Sequence, residues 1–145
     1  VLSCSGGGVV PVKHAPSMKG ALEKSKDYRE FAALSISQDG FRQRKPALCF
    51  LFESMAQTNQ AVNLKLLLGM REIKNDVTPI ATAKIPTLLI GGEDDHGAND
   101  ALRELQTLIP GAMLEIIPDA GHLLFFESAD KYNELVGGFL GKHLH

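Results

Sequence analysis

Two short polar clusters hold the side chains best suited to chemistry. One is Gly-Glu-Asp-Asp at residues 92–95; the other is Asp-Ala-Gly-His at residues 119–122. Each follows an apolar run with strand character, which puts it at the carboxyl end of a strand, the edge where open parallel sheets bind ligands. An acid after one strand and a histidine after the next can meet, because successive strands are commonly neighbours. A carboxylate held against Nδ1 of an imidazole fixes its tautomer and stabilises the imidazolium. That makes His122 a candidate general base oriented by one of the acids at 93–95. Spacing alone also fits plainer roles, a glycine turn before His122 and an acidic cap for the next helix. His96 directly follows Asp95 and could line a pocket mouth. His14, His143 and His145 have no comparable setting, and the last two are expected in solvent.

The elements that must position these clusters are clearest in the second half of the chain. Residues 85–90 (IPTLLI) form a continuous apolar run stopped by Gly91 and Gly92, the pattern of a buried strand, with Pro86 tolerable at its start. Asn99 is placed to cap a helix whose Leu102, Leu105, Leu108 and Ile109 share one face, and Pro110-Gly111 ends it. Residues 113–117 (MLEII) read as a second strand closed by Pro118. Ser128 is placed to cap a last helix with Tyr132, Leu135, Val136, Phe139 and Leu140 at i, i+3, i+4, i+7, i+8 spacing. Strands alternating with helices of this length imply right-handed crossovers and a parallel sheet covered by helices, an α/β fold.

The first half reads differently. Val1-Leu2 looks like the end of a strand, and the glycines at 6–8 like a turn. Helical stretches are expected over about 17–36, 46–58 and 60–73, broken by Asp39-Gly40 and Lys45-Pro46. A mostly helical block between one strand and the next far exceeds an ordinary loop of up to about 15 residues. An inserted helical subdomain is the natural expectation. Charge divides the chain similarly. Residues 1–75 carry 11 Lys and Arg against 6 Asp and Glu, and residues 76–145 carry 4 against 11. The change of sign falls just before Thr78-Pro79, where helix-breaking chemistry is also expected. The organisation expected is a core strand and glycine-rich turn at 1–8, a helical block at 9–75, and a strand-helix-strand-helix core at 76–145.

Composition excludes several classes. A 145-residue chain that is 44% hydrophobic can bury one core, and 22% charged residues do not make it a disordered tail. No apolar run approaches the roughly 18 residues of a membrane span. The net charge of −2 gives no reason to expect nucleic acid. Cys4 and Cys49 are too few for a disulfide scaffold or a zinc site. Gly6-Gly7-Gly8 lacks the Lys-Ser/Thr of a phosphate-binding loop. No cofactor or metal is expected, and the expected compartment is the cytoplasm. The chain opens on Val1 directly into an apolar run, so a piece of something longer is expected.

Residues 85–95 (IPTLLIGGEDD) and 109–124 (IPGAMLEIIPDAGHLL) together resemble the C-terminal third of an α/β-hydrolase, over about residues 76–142. The resemblance implies that Asp95 is the catalytic acid and His122 the catalytic histidine. Glu127 stands where such proteins commonly carry a Glu leading into the last helix. Residues 1–8 (VLSCSGGG) resemble the strand and turn that precede the cap in capped members, and residues 77–84 the return from cap to core. The implied architecture is the C-terminal part of that fold with an inserted helical cap. Cap side chains then form the walls of the substrate site, with Phe50, Phe52, Met55 and Leu67 as candidates, though such residues are more often plain helix packing.

The chain departs from the family pattern in one important respect. The family's nucleophile sits in a G-x-S-x-G elbow, and these residues contain none. Ser5, in Ser-Cys-Ser-Gly-Gly at 3–7, is the nearest match. The elbow serine should open a helix, and residues 9–12 (VVPV) are β-branched and proline-broken. The nucleophile is therefore expected outside this chain. The loop after Asp95, residues 96–99, is also shorter and less hydrophobic than the family's usual run. The expected activity is hydrolysis of an ester or related small apolar substrate by a nucleophile–His–Asp triad. The rival is a non-catalytic binding or interaction module of the same fold. In either case an N-terminal companion chain or a second copy could cover the open sheet edge.

Overall fold

The computed structural model describes residues 2–4, 26, 40–58 and 76–144. Three parallel strands form one sheet in the order β1-β2-β3: β1 at Leu2–Cys4, β2 at Leu88–Gly92 and β3 at Met113–Ile117. Leu88 pairs with Leu2 on one side and Met113 on the other, and Gly92 ends level with Ile117. Before β2 come helices α1 (Gly40–Arg44), α2 (Pro46–Thr58) and α3 (Thr78–Thr82). Helix α4 (His96–Leu108) joins β2 to β3, and α5 (Leu124–Glu127) and α6 (Ala129–His143) follow β3.

Strand β2 is buried along its whole length, and its alternation divides the core. Leu88 and Ile90 join Ile117, Ala120, Leu124 and Phe139 on one face, where Tyr132, Leu135 and Val136 of α6 cover them. Leu89 points the other way, onto Leu102, Leu105 and Ile109, with Val77, Ile80, Ala112 and Leu114 around them. The sheet is thus helix-covered on both faces, the α/β arrangement expected from alternating elements.

Several local expectations are corrected. Strand β2 starts at Leu88, three residues later than the apolar run, because Pro86 has no N–H to give a ladder. It continues through Gly91 and Gly92, which the sequence reading took as its stop. These glycines are strand residues at points of close approach. A Cβ on Gly91 would lie 2.3 Å from Asn99 Oδ1, and one on Gly92 would lie 2.3 Å from the carbonyl oxygens of both Ala120 and Gly121. Residues 96–99 are not a loop; they form the first turn of α4. Asp95 is the N-cap, and its carbonyl accepts from the N–H groups of Ala98 and Asn99. Leu108 is 45% exposed, so the buried stripe of α4 is Leu102, Leu105 and Ile109. Ser128 occupies the N-cap of α6 without a side-chain cap bond, and Leu140 is 40% exposed. Thr78-Pro79 opens α3 instead of breaking a helix, with Pro79 in the first turn, where its missing N–H costs nothing.

Helix α2 covers the segment expected at 46–58. The expected helices at 17–36 and 60–73, the glycine turn at 6–8, Ser5 and Leu67 all lie outside the described residues. Among the described residues no helix is long and apolar enough to cross a membrane.

Candidate active site

Beyond their level ends, β2 and β3 run into two turns that are hydrogen-bonded to each other. Glu93 N–H donates to the carbonyl of Ile117 (2.9 Å), and Asp94 N–H donates to that of Ala120 (2.9 Å). Asp95 N–H folds back onto the carbonyl of Gly92 (3.0 Å). From the other side Asp119 N–H donates to Glu93 Oε2 (3.3 Å). Asp119 itself sits at φ 52°, in the left-handed region that Asp tolerates better than most residues. This cross-bracing leaves little freedom in the separation of the two turn tips.

The tips carry Asp95 and His122, and their side chains meet. His122 Nδ1 lies 2.7 Å from Asp95 Oδ2. An ionised carboxylate can only accept, so Nδ1 is the donor, which leaves Nε2 as the basic nitrogen of the neutral ring. The Asp95 side chain is 9% exposed, and that of His122 is 39% exposed. The acid is therefore held inside while the imidazole reaches the surface of the site.

The hydrogen bond from Asp95 raises the His122 pKa above the ordinary 6.5. Burial acts in the opposite direction, and the charges of Asp95 and Glu127 then add to the rise. Glu127, on α5, is 9% exposed. The sequence placed it as the entry to the last helix; its burial within electrostatic reach of His122 could not be read from spacing.

Helices α1 and α2 reach the same region. Phe41 and Cys49 form a buried pair with Phe52, Leu123 and Phe126 packed against it. The ring of Phe126 lies 5.3 Å from that of Phe41, edge to face, and 6.0 Å from that of Phe52. Phe126 N–H is bonded to the carbonyl of Leu123, the residue after His122 (2.8 Å). Arg42 and Glu53 form an ion pair of 2.6 Å between the two helices. Of the wall candidates, Phe52 is half-buried against Phe126, whereas Phe50 and Met55 are 67% and 59% exposed. Burial pushes the Cys49 thiol pKa up, against the pull of Arg42.

The remaining histidines stand apart from this arrangement or outside what is described. His143 is exposed, with its ring 4.7 Å from Phe139. The side chains of His14, His96 and His145 are outside the described residues. Among the described residues no group of three or more His, Cys, Asp or Glu side chains is placed to hold a metal ion. Asn99 was missed as part of this region, because an Asn near a helix start signals a cap. The glycine pair just before it was the available hint of a close approach.

A parallel sheet with an acid–imidazole pair on adjacent strand ends is the frame of one large family. The sequence profile of the alpha/beta hydrolase fold matches residues 10–129, and the chain belongs to that family. Over 60 residues, 41% of the chain, it is 32% identical to a proline iminopeptidase of Lactobacillus crispatus (strain ST1), of which the match covers 20%. Among solved structures it resembles a thermophilic esterase from Thermogutta terrifontis, with a TM-score of 0.72, 19% identity and coverage of 97% of this chain and 55% of that one. It also resembles Est816, described as an N-acyl homoserine lactone degrading enzyme, with a TM-score of 0.67, 24% identity and coverage of 95% and 56%. MenH from S. aureus matches with a TM-score of 0.72 at 16% identity, over 99% and 59%. At these identities the likeness is one of fold. The chain spans little more than half the length of these structures and a fifth of the iminopeptidase.

Proposed function

We propose that this chain contributes the acid and the histidine of a nucleophile–histidine–acid hydrolase acting on an ester or a related small apolar substrate. The observation that carries the reading is the 2.7 Å contact between His122 Nδ1 and Asp95 Oδ2 at the carboxyl ends of adjacent parallel strands. Family membership supports it, as do the activities named for the esterase, the lactone-degrading enzyme and the iminopeptidase.

In this reading a nucleophile attacks the substrate carbonyl and His122 Nε2 takes its proton. Asp95 stays ionised and stabilises the imidazolium across Nδ1. His122 then returns the proton to the leaving group. Water repeats the cycle on the covalent intermediate. The nucleophile comes from outside the chain, with Ser5 as the second candidate. Residues 9–75 act as the cap, and Phe52 reaches the histidine segment through its packing on Phe126. The outer edge of β1 is covered by an N-terminal companion segment or by a second copy.

The test is hydrolysis of p-nitrophenyl esters, measured for the 145-residue chain and for the polypeptide of the full reading frame that contains it. A G-x-S-x-G upstream of Val1, with turnover in the longer polypeptide, is expected. His122→Ala or Asp95→Asn should then lower kcat by about ten-thousandfold. Unchanged turnover in His122→Ala ends the reading. Turnover by the 145-residue chain that Ser5→Ala abolishes would return the nucleophile to Ser5.

A further inference from the structure

The first turn of α4 contains a polar side chain that turns inward. Asn99 is 7% exposed, although it lies on a helix whose neighbouring positions Asp100 and Arg103 face solvent. Its Nδ2 donates to the carbonyl of Gly92 (2.8 Å) and reaches that of Glu93 (3.4 Å). Its backbone N–H donates to the carbonyl of Asp95 (3.0 Å), and Asp95 N–H shares the Gly92 acceptor (3.0 Å). Asn99 therefore closes the turn 92–95 from both ends. Its Oδ1 is buried, has no hydrogen-bond partner among the described residues and lies against Gly91, where a Cβ would come within 2.3 Å.

An apolar side chain would fill this space without stranding a carbonyl oxygen, and burying an unsatisfied acceptor costs free energy. The position is consistent with a need for the amide donor. We propose that Asn99 is a positioning residue of the Asp95–His122 pair, its side-chain amide locking the turn that presents the Asp95 carboxylate. The proposal rests on the functional reading above only for its catalytic consequence; the geometric claim is about Asp95 and His122 themselves. Without the amide, the carbonyls of Gly92 and Glu93 lose the Asn99 donor, Gly92 retaining that of Asp95 N–H, and the turn relaxes. The Asp95 carboxylate then no longer holds its 2.7 Å contact.

The experiment is an NMR titration of the His122 ring in the 145-residue chain, with its signal assigned by its absence in His122→Ala. Asn99→Ala is compared with Leu105→Ala, a core truncation on the same helix packed with Leu89, Leu102 and Ile109. Asn99→Ala should lower the His122 titration midpoint, while Leu105→Ala destabilises the chain and leaves the midpoint in place. If Asn99→Ala does not fold, Asn99→Ser, which keeps a donor and shortens the side chain, should lower the midpoint too. An unmoved midpoint in a folded Asn99 variant overturns the proposal, as does an equal shift in Leu105→Ala. In the full-length polypeptide kcat should fall about a hundredfold with KM unchanged, the scale of a catalytic group misplaced by about 1 Å. A lowered midpoint alongside full activity in His122→Ala would retain the positioning role and sink only the functional reading.

Discussion

Gly92→Ala probes the site through one added methyl group. That methyl would sit 2.3 Å from the carbonyl oxygens of both Ala120 and Gly121, and ordinary contact begins at 3.4 Å. Both obstacles are backbone, so no side chain can swing aside. The β2 and β3 turns must separate by about 1 Å, a local overpacking that costs about 1–3 kcal/mol. Part of that displacement falls on the Asp94-to-Ala120 bond and part on the 2.7 Å contact between His122 and Asp95. Carrying the full shift would take that contact beyond the ~3.2 Å limit of a good N–H···O bond. Thermal unfolding and a His122 NMR titration read the two effects. Gly92→Ala should lower Tm by roughly 3–10 °C and move the His122 midpoint down. Gly137→Ala, in α6, adds a Cβ that meets none of the described residues within 4 Å. It should be neutral or stabilising by up to about 1 kcal/mol. Wild-type stability and an unmoved His122 midpoint in Gly92→Ala would refute the claim that these turns are rigidly apposed.

Three further outcomes are expected. The His122 pKa is raised in the folded chain, so its contribution to stability is fully present below about 6.5 and is lost as pH rises through the folded value. With the His122 side chain 39% exposed, solvent screening keeps that contribution below about 1 kcal/mol. Urea midpoints of wild type and His122→Gln should accordingly converge as pH rises from about 6 to about 9. Leu102→Ala, at a fully buried position, should cost about 2–5 kcal/mol, while Leu108→Ala, at a position 45% exposed, should stay within about 0.5 kcal/mol. In a Cys4→Ser background, the buried Cys49 thiol should react with iodoacetamide only at a rate that grows with urea; fast labelling of the native chain would contradict its burial.

Legibility varied with the range of the interactions involved. Strand β3 was readable to the residue because five apolar-rich positions end at Pro118, a local signal. Strand β2 was readable only in part. Gly91 and Gly92 look like a terminator until Asn99 and the Ala120–Gly121 carbonyls are seen against them. Asn99 has the identity of a helix cap and the position of a turn lock, and the two differ by where Asp95 starts the helix. The residue types of Asp95 and His122 were visible as motifs. Their separation depends on the parallel register that levels Gly92 with Ile117, a pairing across 25 residues of chain that no local window contains. The packing of Phe41 and Phe52 on Phe126 is longer-range still, and an aromatic in a helical stretch carries no mark of its partner.

That aromatic contact also bears on engineering. Phe126 follows the histidine by four positions, on α5, and packs against residues of α1 and α2. A transplant that exchanged residues 9–75 for the corresponding region of another member of the family would remove Phe41 and Phe52 together and leave the Phe126 ring facing a foreign surface. Such a chimera needs a replacement aromatic seat at the junction, or a smaller side chain at 126, if it is to keep the stability of either parent.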